Sequence, residues 1–246
     1  MDPVAFEIFG MSIRWYGILI SLGVLLGTII AMKEAKRIGY SEDTIIDLLL
    51  FAIPISIIGA RLYYVAFSWD QYSGDILSII NTREGGMAIH GALISAILVA
   101  IIFCKVKKIN FWTLADILAP SIILGQGIGR WGNFINQEAH GGPTNLPWGI
   151  IVDGQKVHPT FLYESLWNIA VFLFLIWFRK NKSKVEGETF LLYLILYSLG
   201  RFFIEGLRTD SLMFGILRIA QVISLIAIII ASIIFVLRRR KNENKI

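Results

Sequence analysis

The chain holds one cysteine, Cys104, in 246 residues. An intramolecular disulfide is therefore impossible, and a thiolate metal cluster is excluded. It holds three histidines, His90, His140 and His158, which lack the spacing of metal ligands, so neither a metal nor a cofactor is expected. Charged residues are scarce at 17%, where a soluble domain runs nearer 25%. That shortage excludes an ordinary soluble enzyme, and the apolar surplus excludes disorder. Repeats, low-complexity segments and a separable soluble domain are also missing, so residues 1–246 are expected to form a single transmembrane helical domain. No G-x-S-x-G motif or comparable nucleophile signature occurs.

What is abundant is apolar: 56% of residues are hydrophobic and mean hydropathy is +0.68. A bilayer core of about 30 Å requires about 20 mostly apolar residues per helix. Seven runs meet that need, roughly 13–32, 45–67, 87–104, 111–128, 159–178, 189–207 and 216–237. The fold class expected is all-α, a polytopic integral membrane protein with about seven transmembrane helices. The first run is not expected to be a cleaved leader, because no basic segment precedes it and no small-residue cleavage site follows.

The basic residues orient these helices. Lys33, Lys36, Arg37, Lys105, Lys107, Lys108, Arg179, Lys180, Lys182, Lys184, Arg238, Arg239, Arg240, Lys241 and Lys245 all fall in alternate connections or in the tail. The opposite connections carry only Arg83, Arg130, Lys156 and Arg208. Positive-inside bias then puts the N-terminus outside and the C-terminus in the cytoplasm. The net charge of +5 thus reads as topology and contact with anionic membrane lipids, and no nucleic-acid partner is expected.

Ionisable residues inside spans are costly and are functional candidates. Arg14, Arg61, His90, Arg130, His158, Glu164, Arg201, Glu205 and Arg218 all map near the outer ends, whereas Asp47 and Asp116 map to inner ends. A transporter would place polar groups through the depth or near the midplane. A polar cluster in one leaflet suits an enzyme acting on a lipid headgroup there. Snorkelling of single arginines to water is the plainer alternative for each residue taken alone.

The densest motif is Gly125-Gln-Gly-Ile-Gly-Arg-Trp-Gly-Asn-Phe-Ile-Asn-Gln-Glu138. It formally contains G-x-G-x-x-G, but it ends a membrane helix instead of joining a strand to a helix, so a dinucleotide site is not expected. Within it, the Arg130 fork suits phosphate oxygens, and Asn133, Asn136 and Glu138 supply further polar groups; a polar helix cap is the alternative. Tyr197, Arg201, Glu205 and Arg208 fall within a stripe of roughly 80° at about 100° per residue. That stripe either neutralises Arg201 by an i,i+4 pair or holds it to bind an anion. His90 has the side chain of a general base near neutrality, or else is structural. Tyr16, in Arg14-Trp-Tyr-Gly17, lies where interfacial aromatics collect. Anion binders and a base without a nucleophile suggest direct transfer between two substrates.

Together these motifs resemble the bacterial prolipoprotein diacylglyceryl transferases over nearly the whole chain. The resemblance is carried by Ile-Arg-Trp-Tyr-Gly17, Gly-Gly-x-x-x-His-Gly91, Gly-Arg-Trp-Gly-Asn-Phe-Ile-Asn-x-Glu138, His-Pro-Thr-x-Leu-Tyr-Glu164 and Tyr-Ser-x-Gly-Arg-Phe-Phe-Ile-Glu-Gly-Leu-Arg-Thr-Asp210. Ala92 departs from the second glycine the family often carries after its histidine. The resemblance implies transfer of the diacylglyceryl group of phosphatidylglycerol to a lipobox cysteine of a prolipoprotein signal peptide, with release of glycerol phosphate. It implies a bacterial cell-membrane location with the site facing the outer leaflet. Arg130 would bind phosphatidylglycerol, with Asn133, Asn136 and Glu138 beside it. Arg201 would be the second arginine at the phosphate, His90 would help deprotonate the thiol, and Tyr16, Tyr197 and Glu205 match positions the family needs. The alternatives are a seven-helix transporter or channel for an anionic solute, and a phospholipase-like hydrolase.

Overall fold

A computed structural model describes residues 2–8, 10–73, 76–82 and 85–243. Arg83 and Lys245, two of the residues that orient the chain, lie outside the described residues. About 70% of the chain is helical. The helices are α1 (Trp15–Arg37), α2 (Asp43–Phe67), α3 (Trp69–Tyr72), α4 (Ile76–Ile80), α5 (Ile89–Lys107), α6 (Phe111–Ile135), α7 (Thr160–Asn181), α8 (Glu188–Glu205) and α9 (Ile219–Glu243). Three short antiparallel hairpins join them: β1–β2 (Val4–Ile8, Met11–Arg14), β3–β4 (Ile150–Val152, Gln155–Val157) and β5–β6 (Met213–Phe214, Leu217–Arg218).

Among the described residues, α1, α2, α5, α6, α7 and α9 are long and apolar enough to cross a membrane. Only 17% of the apolar window of α9 is buried within the protein, so most of its hydrophobic surface faces outward. That suits a lipid solvent and would be insoluble in water. The expected run 189–207 is α8, with 18 residues and three charges, Glu188, Arg201 and Glu205. Its three charges keep it out of that set of six.

Several boundaries differ from the expected runs, three of them for clear physical reasons. Ile13 and Arg14 belong to β2, and Ile216 belongs to the β5–β6 turn, where Gly215 adopts φ +63°. Apolar content alone does not separate a hairpin from the mouth of a helix. The expected run 111–128 continues to Ile135 and carries Arg130 and Asn133 on the helix. Three of its glycines, Gly125, Gly127 and Gly132, are packing surfaces within the helix. A Cβ on Gly125 would face Gly23, whose own added Cβ would lie 3.2 Å from the Gly125 Cα, and a Cβ on Gly132 would lie 2.2 Å from the Tyr16 ring. Small residues of this kind let membrane helices approach closely.

The chain folds as two compact units, Met32–Leu114 and Met1–Ala31 with Ala115–Ile246. In the first, α2 packs on α5 through small residues: a Cβ on Gly59 would fall 1.8 Å from the Ser95 Oγ. Lys107 Nζ meets Asp47 Oδ2 at 2.7 Å, which accounts for one inner-end acid, and Cys104 is buried. Arg61 is buried and donates to the carbonyls of Ser78 (2.6 Å), Ile79, Gly85 and Gly86 (each 2.8 Å), with Tyr72 under its guanidinium. This intramembrane arginine therefore shapes the connection between α2 and α5.

In the second unit the core contains Ala119 and Ile123 of α6, Val171 and Leu175 of α7 and Tyr193 of α8. Asp116, the other inner-end acid, accepts the backbone N–H groups of Gly187 (2.6 Å) and Phe190 (2.8 Å). It thereby satisfies orphan donors at the start of α8. At the opposite end of α8, Arg218 donates to the carbonyls of Gly206 and Arg208, a favourable position for a cation at a helix C-terminus. These two ties fix the axial position of α8, and with it the charged stripe.

Candidate active site

Six charged residues of the second unit form one alternating chain. Arg130 on α6 meets Glu164 on α7 at 2.6 Å. The other Glu164 oxygen accepts from Arg201 on α8 at 2.8 Å. The far nitrogen of Arg201 meets Glu205 at 2.6 Å, and Arg208 lies 4.0 Å from the same Glu205 oxygen. Arg208 then donates twice to Asp210, at 3.0 and 2.7 Å, and Ser211 Oγ donates to Glu205. Glu164 and Glu205 are buried, Arg130 and Arg201 nearly so, and Asp210 is exposed.

Three arginines thus face two buried carboxylates, and the third acid sits at the rim. Burial makes each charge more costly and each pairing stronger than in water. The hydrogen bonds from Arg208 hold the Asp210 carboxyl below its ordinary range, against a smaller opposing push from burial. The geometric result is two guanidinium forks converging on one oxyanion position, now filled by Glu164. A phosphate presents the same oxygen geometry and more charge.

The asparagines extend this chain outward. Asn133 Oδ1 lies 3.5 Å from Arg130 Nη1, and Asn133 Nδ2 donates to Glu138 at 2.9 Å. Asn136 donates to the same Glu138 oxygen at 3.3 Å. Asn136 and Glu138 are exposed, and both reach Arg130 through Asn133. Tyr16 of α1 packs its ring over Gly132, two residues beyond Arg130 on α6. Tyr197 stacks on Tyr193, with ring centres 5.9 Å apart, and Tyr193 accepts a hydrogen bond from Gln126. His158 approaches Tyr163, and Trp148 donates to that tyrosine hydroxyl at 2.9 Å. His90 belongs to the other unit, where its exposed ring lies 6.1 Å from that of Tyr63.

The structure therefore joins Arg130, Asn133, Asn136, Glu138, Arg201 and Glu205 into one network, with Tyr16 packed at its edge. Sequence reasoning placed Glu164 among the outer-end charges but gave it no role in the site, although it is the acid that bridges the two arginines. Its signal was present, because a carboxylate within an apolar run needs a cationic partner. The partner lay 37 residues away, beyond the reach of helical spacing. Arg208 stood in the α8 stripe and Asp210 and Ser211 followed it, but their roles needed the bend of the chain beyond Glu205.

These features define a polytopic helical membrane protein with an arginine–carboxylate chain at one end of its second unit. The family model described as prolipoprotein diacylglyceryl transferase matches residues 3–237, and the chain belongs to that family. It is 58% identical over 246 residues to the phosphatidylglycerol–prolipoprotein diacylglyceryl transferase of Clostridioides difficile, covering 100% of this chain and 99% of the relative. It is 55% identical to the relatives of the same name from Finegoldia magna (98% of this chain, 97% of the relative) and Bacillus cytotoxicus (98% and 93%).

Proposed function

We infer that the protein moves the diacylglyceryl group of phosphatidylglycerol onto the lipobox cysteine of a prolipoprotein, in the bacterial cell membrane at its outer leaflet. The observation that carries this reading is the convergence of Arg130 and Arg201 on one oxyanion position, in a chain whose relatives at 53–58% identity bear that enzyme's name. The family match spans both units, so residues 1–246 are read as one functional domain.

In the reaction the acceptor thiol loses its proton and its sulfur attacks the glyceryl carbon that carries the phosphate. A carbon–sulfur bond forms, the carbon–oxygen bond breaks, and the electron pair leaves on glycerol phosphate. No covalent enzyme intermediate is required. Arg130 and Arg201 hold the phosphate and stabilise the charge that builds on its bridging oxygen. Glu164 and Glu205 keep the two forks aimed before the lipid arrives, and the phosphate then takes the place of the Glu164 carboxylate between them. Asn133, oriented by Glu138 and Asn136, offers an amide to the headgroup or ester oxygens. Tyr16 and Tyr197 enter the site on the family resemblance, Tyr16 packed on Gly132 and Tyr197 on Tyr193. His90 takes the thiol proton, a reading supported by the family resemblance and by a free thiol pKa of about 8.5, too high for thiolate to dominate near neutrality.

The test is direct. Purified protein with phosphatidylglycerol and a lipobox peptide is expected to yield a peptide heavier by one diacylglyceryl group and an equal amount of glycerol phosphate. Arg130→Ala should abolish turnover while the protein, its Glu164 still paired with Arg201, keeps a cooperative thermal transition at a lower midpoint. Free diacylglycerol formed without peptide would point to a hydrolase. Flux of anions into liposomes with no lipid chemistry would point to a transporter. Either result would overturn the reading.

A further inference from the structure

The segment Leu212–Leu217 carries no charge and lies between Asp210 and Arg218. Within it Leu212 is 77% exposed, Phe214 70% and Ile216 95%, and Met213 is exposed as well. A contiguous apolar surface of this kind is not left in water by a folded protein without a partner. Two features indicate which partner. The strands pair Met213 with Arg218 and Phe214 with Leu217, and the Ile219 N–H donates to the Leu212 carbonyl at 3.0 Å. The hairpin therefore satisfies backbone groups internally, as a segment entering a low-dielectric layer must. It also runs directly into α9, whose apolar window has a mean hydropathy of 2.8, the highest among the described helices, so it lies at the mouth of a membrane-crossing segment.

We propose that the β5–β6 hairpin inserts its apolar tip into the interfacial layer of the bilayer and sets the depth of the arginine chain relative to the lipid headgroups. The partner is the lipid surface. The coupling is visible at the base of the hairpin. Ser211 donates to Glu205, Arg208 grips Asp210, and Arg218 holds the carbonyls of Gly206 and Arg208. Apolar residues bury themselves at the acyl boundary, while the polar base stays at headgroup level. Displacement of the tip would then move Arg208 and Glu205, and through Glu205 the fork of Arg201. The inference requires a membrane protein and does not depend on the transferase reading.

The test uses the full chain with Cys104→Ala, which removes the one native thiol, and Phe214→Cys carrying an environment-sensitive fluorophore. Gln155→Cys, in an exposed strand, is the water-facing control. In vesicles of phosphatidylglycerol and phosphatidylcholine, a nitroxide placed high on the lipid acyl chain is expected to quench the label at 214 several-fold more than the control label. Aqueous iodide is expected to quench the control more. Equal iodide quenching at the two positions would overturn the proposal. So would a label that leaves water only when lipobox peptide is added, because the surface would then be a peptide dock. A second variant, Phe214→Asp with Ile216→Asp, reads function separately. It is expected to raise the apparent KM for lipid several-fold while the peptide KM holds. A fall in kcat with an unchanged lipid KM would overturn the proposal as a depth-setting device. Quenching requires no turnover, so failure of the transferase reading would leave this test intact.

Discussion

The carboxylate of Glu164 meets Arg130 at 2.6 Å and Arg201 at 2.8 Å, with its side chain 5% exposed. Taking away one partner of such a buried pairing costs about 3–5 kcal/mol, because the remaining charge is stranded. Glu164→Ala strands two arginines. The expected outcome is a clear drop in thermal midpoint in neutral detergent and a smaller drop when phosphatidylglycerol is present, since a lipid phosphate can replace the missing anion. Equal drops in both conditions would show that the lipid phosphate does not occupy this position. His90 carries a different expectation. If it accepts the thiol proton, His90→Ala should lose most activity at neutral pH and recover as pH rises past the thiol pKa of about 8.5. Wild-type rates at neutral pH would exclude it as base. The same scale shows what the sequence concealed. Arg61 looked equivalent to Arg130 as a charge in an apolar run, yet its donors are spent on four backbone carbonyls. Only the fold of the neighbouring connection separates a structural arginine from one that faces another arginine across a shared carboxylate.

At the scale of elements, the apolar runs were legible and their ends were not. Every expected run has its helix, but hairpins consumed the first residues of two runs and α6 passed beyond its expected end. The reason is that a helix end depends on caps and contacts, whereas hydropathy reports only the average solvent. The α6 glycines illustrate this within a single motif. An added Cβ on Gly129 meets nothing within 4 Å, while one on Gly132 falls 2.2 Å from the Tyr16 ring. Gly129→Ala should therefore be tolerated and stabilise α6 by roughly 0.5–1 kcal/mol, the usual gain over glycine inside a helix. Gly132→Ala must push Tyr16 and α1 aside. A displacement near 1 Å is enough to cost on the order of 100-fold in rate. Thermal midpoints and single-turnover transfer rates for the two variants would show the contrast. Similar behaviour of the pair would mean that the contact between α1 and α6 does not matter to the site.

At the scale of the whole molecule, the question is whether α8 crosses the bilayer with the six more apolar helices. Its 18 residues span about 27 Å at 1.5 Å per residue, close to a hydrocarbon core of about 30 Å. Backbone contacts give a second argument. The Gly142 N–H, shortly before α7, donates to the Leu207 carbonyl, just after α8, at 2.9 Å. The chain leaves that end along α7 and returns to it along α8. If α7 crosses, α8 must cross back, and its charges are tolerated because Arg201 pairs with both Glu205 and Glu164 inside the protein. The lysines and arginines counted along the sequence then make a definite forecast. In cells carrying Cys104→Ala, an impermeant maleimide should label Gln155→Cys and Thr209→Cys from outside and reach Lys182→Cys only after permeabilisation. Labelling of Thr209→Cys with the same pattern as Lys182→Cys would remove α8 as a span. Labelling of Lys182→Cys alone in intact cells would invert the orientation, and with it the leaflet from which phosphatidylglycerol enters the arginine chain.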